Sequence, residues 1–305
     1  MQMLGIALAF LTATPASPAA ERRTWRVERA SVTFELTRDD LRAWTGNTAG
    51  PLAFSIAALL DAEKKEFDRT AAELAREIEA PGEDDSEARY VMDESMTFEV
   101  MSVVGPLVAY RETSGSSTPG AAHPTRYEIH VVRDVSRPDA TASLLDFYSE
   151  HEIVRALKAD RFVRAFGDPE KGFESAATLD DLIASLDPEY ARRESDEPGG
   201  DCGFEVSFGS DMMKHFYFHD LVKEQVAVRV AVAPGNEWCN RVSGRQYLGL
   251  LLPIPAALRD DLLKARRGEA GFLAAGRRSA GALTWTGDWE MDLWKLARPG
   301  PSPRP

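Results

Sequence analysis

The tightest constraint on the fold lies between Ser95 and Val132, where period-two runs follow one another with only turn chemistry between them. Ser95 to Val104 and Pro106 to Glu112 read as two strands, and in "TRYEIHVV" the residues Tyr127, Ile129 and Val131 fall on one face while Arg126, Glu128 and His130 fall on the other. The "STPG" that precedes this run supplies Gly and Pro for a turn, so the segment predicts a hairpin with a long tip. Gly120, Ala121, Ala122 and His123 occupy that tip.

Other segments take their places around this hairpin. Val32, Phe34 and Leu36 alternate as a half-buried strand does. From Leu52 onward, Ile56, Leu59, Leu60, Glu63, Phe67, Leu74 and Ile78 fall on one helical stripe that Pro81 and Gly82 stop, which predicts the longest helix of the chain. Shorter helices are expected at Leu144 to Asp160, at Thr178 to Leu186 with a capping-box arrangement of Thr178 and Asp181, and through Leu258, Leu262 and Leu263. Strands are expected at Cys202 to Phe208, His215 to His219, Gln225 to Ala233 and "YLGLLLPIP". Three tryptophans in "LTWTGDWEMDLW" suggest a strand-like pair before a Pro-rich, disordered tail. Helix first and strands after predicts an α+β fold, an antiparallel sheet packed against a long N-terminal helix and shorter helices. The expected division is 1–20, 21–51, 52–268 and 269–305.

The start of the chain bears on location. An uncharged apolar segment, Leu4 to Ala13, followed by small residues to Ala20, reads as a secretory signal peptide, although no Lys or Arg precedes it. A buried N-terminal helix is the alternative. No other segment approaches the roughly 18 apolar residues of a membrane span, so a periplasmic or secreted product without a span is expected. Cys202 and Cys239 would then meet an oxidising compartment, and a bridge between them would contribute about 4 kcal/mol on a chain-entropy argument. A formal net charge of -13 disfavours nucleic acid and favours a basic partner.

Several motifs resemble a bacterial family of extracytoplasmic domains of poorly defined function. Its members include the lysozyme-binding sensor domain of an anti-sigma factor and the non-catalytic N-terminal domain of peptidoglycan deacetylases. The residues that carry the resemblance are Phe67 in "EKKEFDRTAAE", the Gly120, Ala121, Ala122, His123 tip, Asp134, the "SLLDFY" of Leu144 to Phe147, "FYFHDLVKEQVAV", and Ile254, Pro255 and Leu258. The tip reads Gly-Ala-Ala-His where the family has Gly-Gly-Ala-His, and "SRPDA" after Asp134 lacks the family's usual Gly. The resemblance implies a non-catalytic exported binding or sensing domain, recognising lysozyme or peptidoglycan through the tip.

The chemistry-bearing residues otherwise have plain readings. His123 is a candidate base or ligand, but no His, Cys or carboxylate stands at ligand spacing beside it, and a loop imidazole bonded to a turn carbonyl is the simpler reading. His215 and His219 would lie about 13 Å apart along a strand, too far to share one ion, so no metal or other cofactor is expected. No nucleophile elbow, zinc-protease helix or phosphate loop is present. The competing readings are a cell-wall hydrolase using His123 and Asp134, and a structural envelope protein assembling through the segment from Leu283 to Trp294.

Overall fold

The structure is a computed structural model that describes residues 22–77, 90–119, 125–137, 140–188, 206–234, 246–276 and 283–297. It is an α+β fold in which antiparallel sheets, three among the described residues, share their packing with helices. The expected signal peptide, the hairpin tip from Gly120 to His123, both cysteines, Ile78 and the Pro-rich tail lie outside the described residues.

The first sheet corrects the expectation of one N-terminal strand followed by the helix. It is a four-stranded meander of β1 (Arg23–Val27), β2 (Val32–Leu36), β3 (Leu41–Thr45) and β4 (Leu52–Ser55), and it precedes the helix. Strands of four or five residues carry too few repeats for period-two to be read securely, and β2 is buried along its whole length, on both faces. Leu52–Ser55, expected as the first helical turn, pairs with β3. The helix α1 then runs over Ile56–Glu77. Its first amides are held by side chains, with Ala57 N–H donating to Asp40 Oδ1 at 3.0 Å and Ala58 N–H to Ser55 Oγ at 3.0 Å. Ile56 and Phe67 are buried as expected, yet Ala71 and Ala75 take the places that hydropathy alone assigned to bulkier residues.

The second sheet has the order β12 (Thr284–Asp292), β5 (Val91–Val104), β6 (Leu107–Ser117), β7 (Thr125–Asp134). The expected hairpin is present, and Gly105 and Pro106 make the turn from β5 to β6. Instead of a pair of strands around Thr286, Trp285 and Trp289 belong to one strand that pairs with β5 along nine residues, and Trp294 falls in the short helix after it. Trp285 is buried and donates from Nε1 to the Arg38 carbonyl at 3.1 Å, and Trp289 meets the Phe67 ring at 6.0 Å. The helix α1 lies across β5 and β12, and the meander covers the rest of that face.

The third sheet contains β8 (Val206–Ser207), β9 (Phe216–Val222), β10 (Gln225–Pro234) and β11 (Gln246–Pro253), with β10 paired to all three others. Val226, Val228, Val230 and Val232 point into the largest core with Leu248, Leu250 and Leu252. Helices α2 (Glu150–Ala159), α3 (Arg161–Phe166), α4 (Leu179–Ala184) and α5 (Arg259–Arg267) pack there. A short helix α6 (Leu293–Ala297) places Leu293 against α1. Among the described residues no helix is long and apolar enough to cross a membrane.

Candidate functional site

The chemistry of this chain gathers where β7 meets the third sheet. Alternation along β7 sends Glu128, His130 and Val132 to one face, and the tertiary packing turns that face inward: His130 is 1% exposed while Tyr127, on the other face, is 44% exposed. The register aligns Glu99 of β5, Arg111 of β6 and His130 of β7 in one row across the sheet. Arg111 forms an ion pair with Glu99 and lies 3.9 Å from Glu128. Burial alone would depress the Arg111 guanidinium, but Glu99 and Glu128 outweigh it and hold it above the ordinary arginine value.

Tyr247, on β11, closes the junction. Its hydroxyl donates to Glu128 Oε1 at 3.1 Å and lies 2.9 Å from His130 Nε2, which is itself 3.3 Å from Glu128 Oε1. With the tyrosine hydrogen directed at Glu128, the hydrogen between the ring and the hydroxyl belongs to Nε2. Burial, with Glu128 beside it, raises the Tyr247 phenol above its ordinary range, so it stays a donor. Tyr217 of β9 stacks on the imidazole at 5.8 Å, and Tyr247 meets its edge at 5.3 Å. His215 Nδ1 donates to the His130 carbonyl at 2.5 Å, and the Ala231 N–H to the His215 carbonyl at 2.8 Å, so the backbones of β7 and β10 are tied as well. These groups could carry protons, but His130 is closed off from solvent, and the geometry is that of a brace. Tyr247→Phe deletes the hydroxyl shared by Glu128 and His130 and is expected to cost about 1–3 kcal/mol, read from urea unfolding midpoints.

Of the residues singled out from sequence, His215 reaches this junction through its bond to the His130 carbonyl, and His219 and Asp134 fall elsewhere. His215 follows a 3-10 turn, Ser210–Lys214, while His219 lies within β9, where burial first and Arg229 second lower its pKa. Among the described residues no group of three His, Cys, Asp or Glu is placed to hold a metal ion. Asp134 ends β7 as a turn residue, accepting from Ser136 N–H at 3.0 Å and Arg137 Nε at 2.9 Å. Glu99, Arg111, Glu128, Tyr217 and Tyr247 come from five different strands, so no motif in the sequence joins them. The available signal was the polar row of Arg126, Glu128 and His130 inside a hairpin of a mostly apolar sheet.

The opposite face of the same sheet is mostly apolar core, with Met96, Phe98, Val100 and Tyr110 buried, but it carries a group of carboxyls beside α1. Tyr127 donates to Glu112 at 2.7 Å, Ser114 to Glu94 at 3.2 Å, and Glu63 approaches from α1. Burial, then Glu112, Glu94 and Glu66, raises the Glu63 carboxyl above its ordinary range, and burial raises Glu94 in the same direction. Carboxyls raised by folding stabilise fully below their unfolded pKa, and that stabilisation is lost as pH rises through the raised values. Stability should therefore fall as pH climbs from about 4.3 toward neutrality on account of these groups. Glu63→Gln should raise the melting midpoint at pH 7 by about one or two degrees and leave it nearly unchanged at pH 4, in a thermal melt repeated across that range.

Comparison of this chain with protein-family models, with curated proteins and with solved structures finds no match.

Proposed function

We propose that this chain is a non-catalytic, exported binding or sensing domain of the bacterial envelope, recognising a basic protein such as lysozyme, or peptidoglycan, through the residues that join β6 to β7. The observation that carries the reading is the brace: Glu99, Arg111, Glu128, His130 and Tyr247 fix the base of the hairpin from which Gly120, Ala121, Ala122 and His123 depart. A recognition loop on a rigid base loses less entropy on binding than one on a mobile base. The partner's charge is suggested by Glu94 and Glu112 on the same hairpin sheet, by Glu63 of α1 beside them, and by the net charge of -13. Calorimetry with lysozyme and with peptidoglycan fragments at two salt concentrations tests it, with His123→Ala alongside. Binding that weakens with salt and with the substitution is expected; no heat with either partner overturns the reading.

The hydrolase alternative loses its pairing. Asp134 stands nine residues beyond Thr125, about 30 Å along the strand, whereas His123 is two residues before Thr125. Assembly through the tryptophans draws no support from Trp285 and Trp289, which are spent on contacts within the chain.

Export carries its own chemistry. The pairing of Val206 with Pro234 starts two segments that hold Cys202 four residues away and Cys239 five residues away, each within about 18 Å of that pair. We expect a disulfide between them: intact mass should rise by two hydrogens on reduction, and cleavage near Ala19 or Ala20 should appear in the same spectrum. An unchanged mass with reductant rules the bridge out.

A further inference from the structure

The outer edge of β12 has a definite hydrogen-bonding phase. The Val100 N–H donates to the Leu283 carbonyl at 2.9 Å, which makes Leu283 and Val100 a hydrogen-bonded antiparallel pair. Such pairs alternate along a ladder, so Trp285, Gly287, Trp289 and Met291 turn their backbone groups toward β5. Thr284, Thr286, Asp288 and Glu290 then direct their N–H and C=O groups away from β5, toward an edge on which no described strand pairs. The side chains of these same four residues are all exposed.

Their chemistry is one-sided. Asp288 and Glu290 lie beside Ser95 and Asp93 of β5 in register, and an open hollow of about 310 Å³ is lined by Asp93, Glu94, Ser95, Asp288, Trp289 and Glu290. Charges on an edge strand ordinarily discourage pairing with like strands. A second copy laid against this edge would bring carboxylates toward carboxylates, which is destabilising across a strand pair. An edge with satisfied geometry and a single sign of charge therefore selects an occupant of the opposite sign.

We propose that β12 is a docking edge that takes an extended segment of a partner protein as an added strand, with lysine or arginine at every second position facing Asp288 and Glu290. Main-chain bonds to Thr284, Thr286, Asp288 and Glu290 would supply affinity, and the alternating cations would supply selectivity. This goes beyond the reading above and uses a different surface, since the β6–β7 connection takes no part in it.

The test uses the full chain and a fluorescein-labelled ten-residue peptide alternating lysine with threonine, followed by anisotropy, with a glutamate–threonine peptide as control. The lysine peptide should bind in a salt-dependent manner and the glutamate peptide should not. Thr286→Pro removes an outward N–H without a change of charge and without loss of a backbone bond to β5, at the cost of one exposed hydroxyl contact with Thr97. It should weaken binding about tenfold or more with only a small change of melting midpoint. Thr286→Val, which lacks the same hydroxyl but keeps the N–H, should share that small change without weakening binding. Asp288→Lys with Glu290→Lys should reverse the preference between the two peptides. The proposal fails if the lysine peptide does not bind, or if it binds Thr286→Pro as well as the parent. Self-association by light scattering that disappears in Thr286→Pro would also overturn it, because the occupant would then be a second copy of the chain.

Discussion

Gly271→Ala is expected to keep the chain from reaching its native state. Gly271 has φ of +81°, a region alanine adopts only at a cost, and an added Cβ would stand 2.1 Å from the Val103 carbonyl oxygen. That oxygen is backbone and cannot rotate aside: the Val103 N–H donates to the Phe272 carbonyl at 2.9 Å, and the Phe272 N–H donates back at 3.0 Å. Phe272 and Leu273 are buried in two different cores, so a shift of this segment disturbs both. Conformational strain of about 1–3 kcal/mol together with the steric overlap is large against a total stability of about 5–15 kcal/mol. Gly268→Ala is the control: φ is +68° but nothing lies within 4 Å of the added carbon, so only the conformational cost of about 1 kcal/mol applies. Soluble yield and thermal melts of the two proteins should differ sharply. A Gly271→Ala protein that melts like the Gly268→Ala protein would mean that the β5 contact is dispensable.

Asp40→Ala should produce the next largest loss, about 2–4 kcal/mol, and it should do so by uncoupling α1 from the meander. The Asp40 carboxylate is 1% exposed and accepts from the Ala57 N–H at 3.0 Å, from Ser55 Oγ at 2.7 Å and from Arg42 Nε at 2.7 Å. Alanine would strand a first-turn amide and a buried hydroxyl, while Arg42, which is half-exposed, can turn to water. Asp40→Asn keeps an acceptor for the helix but loses the charge that binds Arg42, and should recover part of the loss. Urea unfolding of the three proteins would order them Asp, Asn, Ala. An alanine protein as stable as the parent would show that the start of α1 is held by packing alone.

Patterns confined to one stretch of chain were legible without the structure. The alternation from Ser95 to Val132 yields the β5, β6, β7 hairpins, the stripe through Ile56 and Phe67 yields α1, and Val226 to Val232 yield β10, because side-chain direction in a strand or helix follows from local backbone geometry. Half of the expected capping box at Thr178 is present, with the Asp181 N–H donating to Thr178 Oγ1 at 3.1 Å. The short meander strands escaped because four or five residues hold barely two repeats of any period.

Tertiary structure alone decided three things. It placed β12 beside β5 across a chain separation that no periodicity encodes, and so turned a tryptophan-rich tail into the edge of a sheet. It brought Asp40 to the first turn of α1, a contact between residues in different elements. It also chose the Glu128 and His130 face of β7 as the buried one, against hydropathy: Arg111, Glu99 and Tyr247, from three other strands, complete the hydrogen bonds that buried polar groups require. Local sequence specifies which residues share a face, but which face is inside depends on partners that only the folded chain assembles.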